Sequence, residues 1–355
     1  MNLVLLTAPQ PGGEITGGHR YDAEMLRRAP RHGVRLELVA LSGRTTGERA
    51  FQARRALRAA SAADAVIVDS IVAAPVALAG RTAAPLVGLV HQLAATNVFA
   101  VGDRVRVALA RSLYARCDLL IAVSPWIAAR LNALGAPTVV VAPGVDRVAP
   151  RPPLAPGGAA RVLCVANWIP NKRVLDLVDA FARLTEDAAT LRLIGAQHPE
   201  TRYGRAVARR IRRDDVRVRV HAPGTVERDG VAREYAAADI FALPSRDEAY
   251  GIAFAEALAS GLPVVGYDSG YPPALVGEAG AFVRPGDVEA LAWALSLIAL
   301  DGDLRAAMSA QALARASALP TWDESATALF AALRSGIRIA PVRERGERDR
   351  AASGS

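Results

Sequence analysis

The sequence is poor in several things, and each shortage excludes something. Only two cysteines, Cys117 and Cys164, occur in 355 residues. With no CxxC and no cysteine–histidine cluster, disulfide scaffolds and structural zinc are excluded as organising devices. No apolar run approaches the ~18 residues a spanning helix needs. The apolar start, Met1 to Ala8, lacks a basic lead and a cleavage site, so it reads as a first strand rather than a secretion signal. These features predict a reducing cytoplasm. Aromatics are scarce, and helix-turn-helix, zinc-finger and aromatic RNA-binding signatures are missing, so no nucleic-acid partner is expected. The rarest residue is lysine. Lys172 is the single lysine among 43 lysines and arginines. Such arginine bias weakens any inference from the net charge of +8 alone.

What is present is β–α alternation. Short apolar runs at Leu3–Leu6, Arg35–Leu41, Ala65–Val68, Leu86–Val90, Leu119–Val123 and Thr138–Val141 are separated by helical stretches. The rhythm restarts at Arg161–Val165 and continues through Thr190–Ile194, Val216–His221, Ile240–Leu243, Leu262–Gly266 and Ala281–Val283. Strands separated by helices predict an α/β fold with two parallel sheets. The chain therefore divides into a domain over 1–146, a Pro/Gly-rich linker over 147–160 and a second domain over 161–320. A last helix over 321–341 is expected to return toward the first domain, and the charged tail 342–355 to be disordered. Ligands of two such sheets belong in the cleft between them, at the carboxyl ends of strands.

The most informative stretch runs from Leu243 to Val265. A strand ends at Pro244, a loop holds Glu248, and a helix opens near Gly251 with Glu256 in its second turn. Between the carboxylates, the N–H groups of Gly251, Ile252 and Ala253 stand unpaired at a helix N-terminus, which favours phosphate. A diphosphate there, with a carboxylate on hydroxyls at either end, describes a nucleotide-sugar. The bland alternative is a pair of solvated helix-start glutamates.

This E-x(7)-E run resembles the signature of the retaining glycosyltransferases of family 4, which have the GT-B fold of two Rossmann-like domains facing across a cleft. Thr16-Gly17-Gly18, Val90-His91, Ile121 to Ser124, Pro143 to Asp146 and Val165 to Arg173 are similar to further motifs of that family. The resemblance implies that Glu248 binds hydroxyls of the donor sugar and Glu256 the ribose. It implies that Lys172 neutralises the leaving diphosphate, that Gly17 and Gly18 let the backbone approach the donor phosphates, and that His91 lies beside the transferred sugar. A lysine and a helix N-terminus would stabilise the leaving group without a metal, so no cofactor and no obligatory metal are expected. Asp301-Gly-Asp303 mimics a metal-binding DxD motif but is read as a turn.

The family's arginine, five residues before its lysine, is Asn167 here. Asparagine brings no charge, and Arg173 is the candidate compensating cation. The competing readings are a UDP-sugar epimerase of the same architecture and a catalytically weak nucleotide-sugar-binding subunit. The acceptor is open: a small molecule, a glycan or a lipid-linked sugar. Two basic helices, Asp103–Arg116 and Tyr203–Arg213, are candidates for peripheral contact with the inner face of a membrane.

Overall fold

A computed structural model describes residues 1–9, 16–93, 101–146 and 158–337. Most of the expected linker, at 147–157, and the tail from 338 onward lie outside the described residues.

The first half comprises β1 (Asn2–Thr7), α1 (Gly17–Arg28), β2 (Arg35–Ala40), α2 (Thr46–Ala59), β3 (Ala65–Asp69), α3 (Ala73–Leu78), β4 (Leu86–Val90), α4 (Val101–Tyr114), β5 (Leu119–Ala122), α5 (Pro125–Leu131) and β6 (Thr138–Val140). Its sheet has the order β2-β1-β3-β4-β5-β6, and every pair is parallel. The second half comprises β7 (Ala160–Val165), α6 (Val174–Phe181), β8 (Ala189–Ile194), α7 (Arg202–Arg210), β9 (Val220–Gly224), α8 (Arg228–Ala237), β10 (Ile240–Leu243), α9 (Ile252–Ala259), β11 (Val264–Tyr267), α10 (Pro272–Val276), β12 (Gly280–Val283), α11 (Val288–Leu300), α12 (Gly302–Ser317) and α13 (Trp322–Gly336). Its sheet, β12-β11-β10-β7-β8-β9, is again all parallel. Both are open doubly wound sheets. Their strand order reverses beside β1 in the first and beside β7 in the second, and such reversals open ligand crevices.

The central strands are covered on both faces, as parallel sheets require. Every residue of β3, β5 and β10 is buried. One face of the first sheet packs Leu3, Leu5, Ile67 and Ile121 against Tyr21 and Met25 of α1 and against Trp322, Leu329, Phe330 and Leu333 of α13. The last described helix therefore completes the core of the first half. Both cysteines are free and buried, and burial pushes each thiol up to about 12.

Four details differ from the sequence reading. The helices α3, α5 and α10 are short, proline-bearing segments that carry too few turns to show helical periodicity. The strand expected at Val216–His221 begins only at Val220. Residues before it turn, because the buried Arg219 guanidinium donates to the carbonyls of Thr185 (3.2 Å) and Asp215 (3.1 Å). The helix expected from Lys172 starts at Val174, because Arg173 adopts a left-handed conformation with φ 52°. The basic helix expected to reach Arg213 ends at Arg210, which pairs with Asp179 and Asp215.

The join between α13 and the first half rests on Gly144. A Cβ there would lie 2.3 Å from the Trp322 nitrogen, and the Val145 N–H donates to the Pro320 carbonyl at 2.9 Å. Backbone meets backbone, so no rotamer change relieves the clash. Gly144→Ala should destabilise the protein by roughly 2–3 kcal/mol, a loss of several degrees in Tm. Gly47→Ala, in the first turn of α2 where an added methyl meets almost nothing, is the matched control and should be neutral. Equal melting temperatures for both variants would refute the tight join.

Candidate functional site

The site residues lie on loops that leave the carboxyl ends of strands. After β7 the chain makes a short 3-10 turn, Pro170–Lys172, before α6. After β10 it passes through Asp247, whose φ is 58°, to Glu248 and Gly251. The two loops are tied: the Arg246 N–H donates to the Asn171 carbonyl at 2.7 Å. The Glu248 segment is pinned from its other side. Asp247 N–H donates to Ser269 Oγ at 3.0 Å, and Tyr271 N–H donates to the Glu248 carbonyl at 2.9 Å. With backbones so fixed, Lys172 Nζ donates to Glu248 Oε1. Both side chains are half-buried, a setting in which an unpaired charge would be costly.

Gly251 is the residue before α9 and has φ 92°. A side chain there would be strained and would press within 2.8 Å of the Phe254 ring. The helix opens at Ile252, and among the described residues no backbone carbonyl accepts from the N–H groups of Gly251, Ile252 or Ala253. These are the free donors of a helix start.

The first half meets this helix directly. A Cβ on Gly17 would touch Ile252 Cδ1 at 3.4 Å, and one on Gly18 would lie 3.2 Å from His91 Cδ2. The absence of a side chain at Gly18 lets the start of α1 sit close against His91, while Gly17 faces Ile252 of α9 with room for ordinary contact. Ser124 Oγ, which caps α5, donates to the Ala249 carbonyl across the cleft at 2.5 Å. Further along α9, Glu256 Oε1 pairs with Arg20 of α1.

His91 is held from all sides. Its ring Nε2 is 3.1 Å from Asp22 Oδ1, its backbone N–H donates to Ser70 Oγ at 3.2 Å, and the Tyr21 ring meets it edge-on at 5.0 Å. Asp69 completes the cluster. It accepts from Thr7 Oγ1 (2.8 Å), Ser70 Oγ (3.1 Å) and the Ile71 N–H (3.0 Å). Burial works against a charged imidazole, but the hydrogen bond to Asp22 and the charges of Asp22 and Asp69 outweigh it and raise the His91 pKa. Asp22, Asp69 and His91 are close enough together to hold a metal ion. Their atoms are nevertheless largely committed to one another and to hydroxyl donors, leaving Asp22 Oδ2 without a partner among the described residues.

Thus Lys172 and Glu248 are brought together, as are Gly17 with Ile252 and Gly18 with His91. Two expected phosphate ligands also make contacts within the second half. Asn167 Oδ1 accepts from the Ala196 N–H at 3.1 Å, tying the end of β7 to the end of β8. The Arg173 guanidinium lies on Asp176 at 3.0 Å, which also accepts from Tyr267 Oη at 2.8 Å. Asp301 Oδ1 accepts from the Leu304 N–H at 2.9 Å and caps α12, giving half of the DxD-like triplet a structural duty. Sequence reasoning missed Arg20, Asp22 and Asp69, and singled out Ser124 only as the end of a motif. Arg20 was hidden by the abundance of arginine, although its place two residues after Gly18 was a usable signal.

On α4, Arg104, Arg106 and Arg111 are exposed beside Val105. Among the described residues, no helix is long and apolar enough to cross a membrane.

The sequence profile described as Glycosyltransferase Family 4 matches residues 11–148, and that described as Glycosyl transferases group 1 matches residues 159–301. The chain is 30% identical over 292 residues to a GDP-mannose-dependent alpha-(1-6)-phosphatidylinositol monomannoside mannosyltransferase of Mycobacterium tuberculosis, covering 74% of each chain. Among solved structures it is similar to sucrose-phosphate synthase from Thermosynechococcus elongatus, with TM-score 0.82 and 18% identity over 94% of this chain and 98% of that one. It is also similar to Anabaena HepE in complex with UDP-glucose, with TM-score 0.76 and 21% identity over 94% of this chain and 100% of that one. The two solved structures share the fold.

The His91 cluster gives a direct test. His91 should titrate above the ordinary histidine value of 6.5, and Asp22→Asn should lower its pKa, as read from imidazole NMR. A raised histidine pKa contributes stability that is full below the unfolded value and is lost as pH rises through the folded one. The Tm difference between wild type and Asp22→Asn should therefore shrink through that window. An imidazole with the same pKa in both proteins would refute the ion pair.

Proposed function

The chain is a glycosyltransferase belonging to family 4, and we propose that it transfers a sugar from a nucleoside-diphosphate donor to an acceptor hydroxyl with retention of anomeric configuration. The observation that carries this reading is the Lys172–Glu248 pair set before the start of α9. An ammonium, a carboxylate and a row of free N–H groups meet where a sugar diphosphate would need all three. The mycobacterial relative is GDP-mannose-dependent by name, and HepE was solved with UDP-glucose. Both support a nucleotide-sugar as the donor class.

Donor cleavage breaks the bond between the anomeric carbon and the diphosphate oxygen. Positive charge develops on the sugar while negative charge grows on the leaving group. In this reading Lys172 and the α9 N-terminus receive that negative charge. Glu248, which Lys172 orients, accepts from sugar hydroxyls, and Glu256 accepts from the ribose. Gly17 and Gly18 let the start of α1 approach the phosphates, and His91 faces the transferred sugar. The retaining course follows from the resemblance to a retaining family. The acceptor docks on the first half, where α4 offers its exposed arginines to an anionic or lipid-linked molecule.

Because leaving-group charge must be met more at the transition state than in the ground state, Lys172→Ala should act mainly on kcat. The expected loss is about 2–4 kcal/mol, a factor of roughly 30–1,000. Lys172→Arg should rescue poorly, since a planar guanidinium does not replace a compact ammonium. Donor hydrolysis, assayed after thermal-shift screening has identified the base, checks both. Unchanged kcat and donor affinity in Lys172→Ala would sink the assignment.

The same reading makes catalysis independent of divalent metal. Turnover should survive dialysis against EDTA and gain nothing from added manganese. Activity lost to the chelator and restored by manganese would reopen the roles of the Asp22–Asp69–His91 cluster and of Asp303.

A further inference from the structure

Arg20 sits in the first turn of α1, in the first half of the chain, and Glu256 in the second turn of α9, in the second half. Their pairing crosses the cleft. The two partners are unequally constrained. Arg20 is fixed independently of Glu256: its Nη2 donates to Asp146 Oδ2 at 3.0 Å, and its guanidinium lies 5.4 Å from the centre of the Trp322 ring. Asp146 is held in turn by Arg228 of α8 at 2.9 Å, and Arg228 Nη1 reaches Glu24 of α1 at 2.6 Å. Glu256 has no comparable support. Among the described residues, Arg20 is the partner of its carboxylate, and the contact uses Oε1.

The direction of the constraint follows. A guanidinium anchored on Asp146 and Trp322 positions a carboxylate that is otherwise free to rotate about its side-chain torsions. A glutamate that is to accept from a ribose diol must be ionised, oriented and left with a vacant acceptor oxygen. Arg20 supplies the orientation through its contact with Oε1. Because it reaches across from the other half, it does so only when the halves are together. We infer that Arg20 is a positioning residue that presents Glu256 to the ribose of the donor and thereby couples ribose recognition to closure of the cleft. This inference rests on the proposed reading of the site as one for a nucleoside-diphosphate sugar.

The test is discrimination between ribose and its deoxy form. Calorimetry would compare UDP, GDP and ADP with their 2′,3′-dideoxy counterparts on the full chain. Wild type should prefer the ribose form of its nucleotide by about tenfold or more, the scale of one or two hydrogen bonds to a charged acceptor. Arg20→Gln should reduce that preference to about twofold or less, and Arg20→Lys should retain part of it. Arg27→Gln, which removes another cation of α1 that pairs with Glu24 and, among the described residues, not with Arg20, Asp146 or Glu256, should keep the full preference. If Arg20→Gln weakens both nucleotide forms by one common factor, Arg20 is only structural and the inference is overturned. If wild type binds none of the three diphosphates, the nucleotide-sugar reading itself falls. If it binds one without preferring ribose, the role of Glu256 falls, and the inference with it.

Discussion

Strand direction is the constraint on which the site depends. In a parallel sheet all carboxyl ends lie along one edge, so every strand-to-helix loop emerges there and several helices start there. Two such sheets facing each other line a cleft with helix N-termini, each carrying partial positive charge and unpaired N–H groups. The starts of α1 and α9 abut through Gly17 and Ile252, which concentrates that charge at one place. A pocket built this way recruits anions. The protein meets part of the demand itself, with Glu248, Glu256, Asp22 and Asp69, and leaves the N–H groups at the mouth of α9 open.

The carboxylates are each matched to a nearby cation or donor. Glu248 has Lys172, Glu256 has Arg20, Asp22 has His91, and Asp69 has hydroxyl donors. Farther out, Glu24 lies under Arg27, Arg28 and Arg228. Burial pushes its carboxyl up, but hydrogen bonds from these arginines outweigh that and hold it at about 2. Such pairing is what buried charge requires, since removing one partner leaves the other desolvated and uncompensated. It also means that the two halves are joined by directional polar contacts, including Ser124 to the Ala249 carbonyl, as well as by the apolar packing of α13.

Much of this was legible in the chain. The β–α rhythm gave both sheets, because short continuous apolar runs between helical stretches fit the buried strands of a parallel sheet. The E-x(7)-E run located the α9 site, because Gly251, a helix start and two carboxylates form a local pattern. The cross-cleft partners were not legible. Arg20 and Glu256 are 236 positions apart, and nothing local in either predicts the other. Short helices failed for the opposite reason: α3, α5 and α10 span too few residues for their periodicity to exceed noise. The strand before Gly224 was misplaced because Val216 and Val218 alternate as strand residues do, while the carbonyl bonds of Arg219 hold the backbone in turns.

Asn167 shows how a departure from a family pattern changes meaning once packing is known. As a sequence feature it is a lost charge beside the expected phosphate. In the fold its side chain bridges the ends of β7 and β8, and Gly195 packs so closely that a Cβ there would lie 2.2 Å from the Ala166 carbonyl oxygen. The asparagine therefore stabilises the platform from which the Lys172 turn departs. Arg173, the candidate replacement, pairs with Asp176 at the start of α6. Lys172 in the second half pairs with Glu248, and Arg20 of the first half pairs with Glu256. Because the Arg20–Glu256 pair spans the two walls, it holds only while the walls are together, whereas the Lys172–Glu248 pair lies wholly within the second half.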